Sequence, residues 1–525
     1  MAELRMRVVA GIVSAGVALG LAELLAVFSG AGSAPLDALG AAVVEHTPEG
    51  PREWAIDTFG TSDKAVLYLL MGMVAVFIAG LLGAVERTGR ATGSWLFAAF
   101  GTIAAGAALA GTGVIGLLPT VLGIAAGIAT LRMLTYRIDE VAAAQTEIVQ
   151  ATATTGARTT AASTDSERTG HGRQRRQIVR GLLIAGGLAV AAGVGGRLLG
   201  MWRRDVSGER AALRLPEPTA PAAPLTPGVE LRVPGLTPYT TANDEFYRID
   251  TALIVPNVST DDWSLRIHGM VDREILLSWA DLADLPATEH LITLACVSNP
   301  IGGDLIGNAR WLGYRLDRLL AEAGPHPEAD MVLSHSVDGW TAGTPLAVLT
   351  DGRPALLAIG MNGEPLPVRH GYPARMVVPG LYGYVSATKW VTELEVTRFD
   401  RAEAYWTRRG WSARGPIKTG IRIDTPRGRA RSGRIPIAGV AWAQHRGIRA
   451  VEVQIDDGPW QPARLADEYS IDTWRQWIFD WDAPAGSHII RARATDGTGE
   501  TQTAERRGAV PDGATGYPAI MVRID

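Results

Sequence analysis

The stretch HLITLACVSNPIGGDLIGNARWLGYRL (290–316) holds Cys296, the single cysteine of a 525-residue chain. An apolar, β-prone run, EHLITLA, precedes it, and a loop rich in glycine and asparagine follows. A thiol at the end of a strand, opening onto glycines, sits where a ligand can approach the main chain closely. The bland reading is a buried structural thiol, because cysteine is among the most buried residue types. A thiolate is also a soft ligand suited to a redox metal. A nucleophilic role would need a histidine base, which sequence cannot place against it.

The surroundings of this stretch mix strands and helices. WSLRIHGMV (263–271) alternates like a strand, and SWADLADLP reads as a short helix capped by Ser278. YRLDRLLAEAG (314–324) is an amphipathic helix closed by Gly324, and ARMVVPG and KWVTELEVTRF are strands. This order predicts an α+β domain. Beyond about residue 403 the character changes. GVAWAQHRGIRAVEVQIDDGPW and HIIRARATDGTGETQTAE are alternating strands broken by Gly/Asp turns, which predicts an antiparallel β-sandwich of immunoglobulin type without its paired cysteines. Between these regions and the N-terminus, LPEPTAPAAPLTPGVELRVPG makes residues 205–237 a Pro-rich stiff linker.

The first 200 residues carry most of the apolar content. Four runs, near 8–29, 65–84, 94–111 and 114–131, each approach the ~20 residues that cross ~30 Å of hydrocarbon. A fifth, at 181–200, is Gly/Ala-rich and interrupted by Arg197. Arg5 and Arg7, Arg87 and Arg90, and the arginines between 132 and 180 place those segments in the cytoplasm. The acidic 30–64 loop and everything after residue 201 then lie outside the cell membrane. Arg175 and Arg176 before the fifth run read either as a stop-transfer flank or as an internal twin-arginine export signal, a route for folded proteins. No histidine lies in any run, so a membrane haem with paired histidines is not expected. The helices read as an anchor or docking surface, and the lack of ionisable residues deep in the first four speaks against a transporter. The Ala/Thr/Ser-rich stretch 141–170 reads as a mobile loop. A net charge of −4 implies no nucleic-acid partner, and one cysteine rules out an intramolecular disulfide framework. Only three of the 50 basic residues are lysines, Lys64, Lys389 and Lys418, so each lysine is the more notable.

Three ordered motifs, TLACVSN (293–299), GNARWLGYRLDRLL (307–320) and MNGEPLPVRHGYPARMVVPGLYGYVSATKW (361–390), resemble the molybdopterin domain of the sulfite oxidase family. The C-terminal sandwich resembles that family's dimerisation domain. The resemblance spans about 238–525, and the N-terminal runs resemble membrane-anchored bacterial relatives. It implies a multi-domain chain: an α-helical transmembrane region over 1–204, the linker, an α+β molybdopterin-binding catalytic domain over 238–402, and an immunoglobulin-like β-sandwich over 403–525. It implies a molybdenum-molybdopterin cofactor with Cys296 as the protein's metal ligand. The pterin brings most of the sulfur, so one thiol suffices. By the same resemblance Tyr247, Arg248, Asn299, His370 and Arg375 hold the cofactor, with Ser386, Ala387, Thr388 and Lys389 lying along the pterin, largely through backbone groups. A guanidinium fork suits a phosphate.

Two departures stand out. The cysteine motif continues with Pro300 and Ile301 where the family has arginines that hold an anionic substrate. In YWTRRGWSARG (405–415), Trp411 falls at the position of a catalytic-pocket tyrosine, and an indole offers one N–H donor and no acidic proton. Cys296, Trp411 and Arg248 are the expected catalytic residues, and Arg248, Arg408 and Arg409 remain as attractors for an oxyanion. Near Arg248, Asp250-Thr251 replaces the Asn-His of the family pattern. The expected activity is two-electron oxygen-atom transfer on a small sulfur- or nitrogen-containing molecule. Electrons would pass to or from a separate cytochrome or quinone partner, with a homodimer formed through the sandwich. The alternative is a cofactor-free, membrane-anchored surface binding protein.

Overall fold

The computed structural model describes residues 2–30, 32–59, 62–154 and 161–525. The chain divides into two compact units, Met1–Asp205 and Val206–Asp525.

The first unit is helical: α1 (Ala2–Ala26), α2 (Pro35–His46), α3 (Glu49–Phe59), α4 (Asp63–Val85), α5 (Thr92–Thr154) and α6 (Ala161–Arg204). Four helices, α1, α4, α5 and α6, are long and apolar enough to cross a membrane. The third and fourth apolar runs share α5, which breaks at Gly113 (φ 70°, ψ −165°) into two helical pieces. Small residues set the packing. A Cβ on Gly11 of α1 would lie 2.1 Å from the Ala79 carbonyl of α4, and one on Gly20 would lie 2.3 Å from the Ala189 carbonyl of α6. Backbones approach this closely only where side chains are absent. At the C-terminal ends of α1 and α6, Arg197 pairs with Glu23 (3.1 Å) and Asp37 (3.0 Å), and the Tyr68 hydroxyl donates to Asp37 (2.7 Å). The 141–170 stretch, expected as a loop, is helical wherever it is described, as its alanines favour.

The second unit contains β1 (Ser264–Gly269), β2 (Ile275–Ser278), β3 (Thr288–Ala295), β4 (Ile306–Arg315), β5 (Met331–Ser336), β6 (Thr341–Pro345), β7 (Leu356–Met361), β8 (Glu364–Pro365), β9 (Arg375–Val377) and β10 (Val391–Thr397). One mixed sheet runs β2-β1-β10-β5-β6, and another runs β3-β4-β7-β8 with β9 on β7. They share a core that includes Leu265, Ile267, Leu316, Leu320, Val332, Leu357 and Leu394. The helix expected at 314–324 runs from Leu316 to Ala323 and ends on Gly324 in the left-handed conformation (φ 68°). The one expected at SWADLADLP is a single 3₁₀ turn, Ala280–Asp284.

Two further sheets follow. β11 (Gly420–Thr425), β13 (Gly433–Trp442), β16 (Arg464–Leu465) and β17 (Arg475–Ala483) form one. The other holds β12 (Gly428–Ala430), β14 (Ile448–Ile455), β15 (Gln461–Pro462), β18 (Gly486–Asp496) and β19 (Ala519–Ile524). Ile421, Ile437 and Trp477 of the first pack with Val453, Ile490 and Val522 of the second, making a β-sandwich.

The Pro-rich segment departs from the stiff spacer expected. It is laid over the second unit and fastened at several points. Val229 is buried, Thr219 N–H donates to the Ala287 carbonyl (2.8 Å), and Leu231 N–H donates to Gln476 (2.6 Å). Glu209 accepts from Ser259, Thr260 and Tyr372 at 2.7–2.8 Å. Prolines lack an N–H, so an extended Pro-rich strip can cover a surface with few donors left unmet.

Candidate active site

Cys296 follows directly on β3, which pairs with β4 up to Ala295↔Ile306. The intervening loop is closed on itself. Cys296 N–H donates to the Leu305 carbonyl (2.9 Å), Asn299 N–H to the Cys296 carbonyl (3.2 Å), and Leu305 N–H to Asn299 Oδ1 (3.0 Å). The sulfur therefore has a fixed position on a rigid hairpin mouth. Burial pushes the thiol's pKa up. The N–H groups of Val297 and Ser298 and the Ser298 hydroxyl oppose that by favouring the thiolate. Those donors suit a sulfur that carries negative charge toward a metal.

Beside the thiol lies a buried basic group. Arg375 on β9 is 6% exposed and has no ion pair among the described residues. Its guanidinium donates to the carbonyls of His370 (3.0 Å) and Ala387 (3.3 Å) and lies 5.1 Å from the Trp311 ring. Burial lowers its pKa to about 10. His370 is buried, and its Nε2–H donates to the Asn243 carbonyl (3.0 Å). Burial first, then the Arg375 and Lys389 charges, hold its pKa down at about 3, so the ring is neutral. Lys389 pairs with Asp250 (2.7 Å) and is lowered to about 8 by burial, against that partner. Asp250 also binds Arg248 (2.7 Å), so one carboxylate serves two cations while Arg375 has none. Gly371 (φ 112°) brings the chain so close that a Cβ there would meet Arg375 and Lys389 side-chain carbons at 3.0 and 3.2 Å. A buried guanidinium with no carboxylate is costly. It fits a site for an anionic group such as the pterin phosphate.

Most of the expected residues are brought together. Cys296, Tyr247, His370, Arg375, Lys389 and Arg248 form one neighbourhood, in which Tyr247 and Lys389 each feel the thiol or its field. Tyr247 stacks on Phe246, which meets His370 edge-on at 5.8 Å. Asn299 lies in the cysteine loop. Ser386 and Thr388 turn inward: Ser386 Oγ donates to the Tyr382 carbonyl (2.9 Å), and Thr388 Oγ1 bonds Ser334 Oγ (2.6 Å). Their backbone neighbours are also engaged, Thr388 O by Met376 N–H and Ala387 N–H by Gly383 O. They scaffold the basic residues. Trp411 packs against Tyr384 (5.8 Å) and Trp406 (6.1 Å) and is not brought to the cleft beside Cys296. Arg409 lies 3.7 Å over the Tyr405 ring and donates to the Tyr405 carbonyl (2.8 Å).

That cleft has one wall from the cysteine loop and one from the sandwich. Ala295, Cys296, Asn299, Pro300 and Tyr382 face Lys418, Gly420, Trp442, Gln502 and Gly516 across it. Tyr382, Trp442 and Gln502 carry no local signal that would single them out. Lys418, one of three lysines, carried a compositional one.

The family pattern of the oxidoreductase molybdopterin binding domain matches residues 252–406. An uncharacterized oxidoreductase from Bacillus subtilis, YuiH, is 36% identical over 153 residues, 29% of this chain and 74% of that protein. Human mitochondrial sulfite oxidase is 32% identical over 312 residues, 49% of this chain and 56% of its own length. The chain thus spans about half the length of the sulfite oxidases it matches. The sulfane dehydrogenase SoxCD of Paracoccus pantotrophus aligns over 52% of this chain and 80% of its own at 24% identity, with a TM-score of 0.46. The sequence matches set aside a cofactor-free binding protein. With the family pattern and the sequence relatives from Bacillus subtilis and human mitochondria, the chain belongs to the sulfite oxidase family of molybdopterin oxidoreductases and is a molybdenum-dependent enzyme.

Proposed function

We propose that this chain is anchored in the cell membrane with its catalytic unit on the extracytoplasmic side. There it exchanges one oxygen atom and two electrons with a small, uncharged sulfur- or nitrogen-containing substrate. The observation that carries the substrate reading is the charge balance around the cleft. Lys418 is paired with Asp512 (2.7 Å), Arg446 with Asp496 (2.8 Å), Arg422 with Asp424 (2.6 Å) and Arg248 with Asp250 (2.7 Å). Lys418, Arg446 and Arg422 each have a carboxylate of their own, Arg248 shares Asp250 with Lys389, and Pro300 and Ile301 stand where arginines would add charge. An oxyanion such as sulfite would enter such a cleft without compensation for its lost hydration.

In this reading Cys296 ligates molybdenum. Arg375, His370, Lys389, Tyr247, Arg248 and Asn299 hold the pterin, with the segment Ser386–Thr388 as scaffold. The bound cofactor supplies a redox metal able to take or give two electrons and an oxygen atom. The chain's own residues fix the sulfur, neutralise the phosphate and shape the cleft. Arginine placement on the helical unit supports the sidedness. The sandwich is read as an immunoglobulin-like dimerisation domain, and electrons pass to a separate cytochrome or quinone partner.

Dye-linked turnover by the full chain in detergent tests this. Dimethyl sulfoxide or trimethylamine N-oxide is expected to exceed sulfite in kcat/KM by about tenfold or more. A preference for sulfite overturns the substrate reading. Cys296→Ser is expected to abolish turnover in a protein that keeps its fold and its organic phosphate. Full activity in that variant overturns the ligand assignment.

A further inference from the structure

The polar side chains that line the cleft differ in what they have left to offer. The side-chain acceptors are engaged. Gln502 Oε1 takes the Ala494 N–H (2.8 Å), Asn299 Oδ1 takes the Leu305 N–H (3.0 Å), and the Tyr382 phenol oxygen takes the Lys418 N–H (3.4 Å). Thr419 Oγ1 donates to Asp496 (2.9 Å) and accepts from Arg446 (3.1 Å). Lys418 spends two of its donors on Asp512 (2.7 Å) and the Gly513 carbonyl (2.8 Å). The uncommitted groups are donors: the Tyr382 O–H, the Trp442 indole N–H and the Asn299 amide N–H have no acceptor among the described residues.

Tyr382 is the most constrained of the three. It is 6% exposed, yet it lines the cleft that holds Cys296. Its main chain is pinned, Tyr382 N–H to the Gly415 carbonyl (2.9 Å) and Val385 N–H to the Tyr382 carbonyl (3.1 Å). A Cβ on Gly513 would come within 2.6 Å of the hydroxyl, so glycine there leaves the phenol its room. Burial raises its pKa to about 12, which keeps the O–H a donor at any working pH. Tyr384, by contrast, has its hydroxyl committed to the Ser412 carbonyl (2.5 Å). A buried donor without a partner costs free energy unless a ligand supplies the acceptor. An acceptor without formal charge suits a cleft whose cations are already paired.

We propose that Tyr382, seconded by Trp442, is the catalytic residue that donates a hydrogen bond to the oxygen of an S-oxide or N-oxide substrate bound beside Cys296. This rests on the reading of an uncharged substrate given above. The oxygen of such an oxide carries the partial negative charge and accepts but does not donate. The donor set therefore selects the oxide over its oxygen-free counterpart.

The test uses the full, cofactor-loaded chain in detergent, with dimethyl sulfoxide and dimethyl sulfide as probes. Tyr382→Phe keeps the buried ring and removes the donor, together with the long contact that the phenol oxygen accepts from Lys418 N–H (3.4 Å). Its kcat/KM for dimethyl sulfoxide is expected to fall about tenfold or more, and its affinity for that probe, read by tryptophan fluorescence, several-fold. Affinity for dimethyl sulfide, molybdenum content and melting temperature should stay at wild-type values. A purely structural role would weaken both probes together and lower the melting temperature, and that outcome overturns the assignment. So does a variant whose response to dimethyl sulfoxide equals that of the wild type. A molybdenum-loaded wild type that neither binds nor turns over any uncharged oxide overturns the substrate reading as well, which separates the two failures.

Discussion

Around Cys296, burial moves Tyr247, His370, Arg375, Lys389 and the thiol itself toward their neutral forms, and the partners decide how far. Lys389 keeps a carboxylate at 2.7 Å, and Arg375 keeps only carbonyls. His370 has one carbonyl and two nearby positive charges, and it falls furthest, to about 3. The unfolded imidazole titrates near pH 6.5. Between that value and about 3 the unfolded chain binds a proton that the folded chain does not. Stability should therefore decline as pH drops below 6.5, by roughly 1.4 kcal/mol per pH unit from this group alone. His370→Gln retains a donor for the Asn243 carbonyl and removes the titration. Melting curves of the cofactor-free chain between about pH 6.5 and pH 4 should be flatter in that variant. An identical slope would mean that His370 does not set the acid limit.

At the scale of elements, the site is a meeting of two turns. One is the loop between β3 and β4 that carries Cys296, and the other is the 512–516 turn before β19. The second turn contributes charge as well as shape, because Asp512 cancels the Lys418 ammonium. Asp512→Asn keeps the size of the side chain and leaves the ammonium uncompensated. Inorganic sulfate should then inhibit turnover with an inhibition constant lower by about five- to tenfold, an effect that salt would weaken. If sulfate inhibits both proteins equally, the pair does not govern what the cleft admits.

For the molecule as a whole, the two units pack in different ways. The catalytic unit is held by side-chain cores. The helical unit has side-chain clusters too, around Leu134 and Ile138 and around Phe97 and Leu131, but it adds crossings where side chains are missing: a Cβ on Gly83 would lie 2.1 Å from the Arg7 carbonyl and 2.7 Å from Gly11 N. Both contacts are backbone, so neither helix can yield locally. Gly83→Leu should force α1 and α4 apart, at a cost of about 1–3 kcal/mol or more. Scanning calorimetry in detergent should show the transition of the helical unit lowered and that of the catalytic unit unmoved. Unchanged thermograms would rule out this crossing as a determinant of the bundle.

Much of the fold is legible in the sequence, because it is written in local pattern. The apolar runs, the Leu316–Ala323 helix ending on Gly324, the strands on either side of Cys296 and the sandwich strands all follow from periodicity and capping. The basic residues of the cofactor site were legible for a different reason, since they sit in compact motifs that resemble a family. Where sequence misled, a tertiary force had overruled a local one. The Pro-rich segment has the composition of a spacer but finds Glu209, Val229 and Leu231 partners on the surface it crosses. Sequence by itself determined the chemistry available: one thiol, few lysines and a family of motifs. Tertiary structure alone decided which charges cancel and which donors stay free, because Lys418 and Asp512, 94 positions apart, or Tyr382 and Trp442, become neighbours only when the sandwich closes over the cysteine loop.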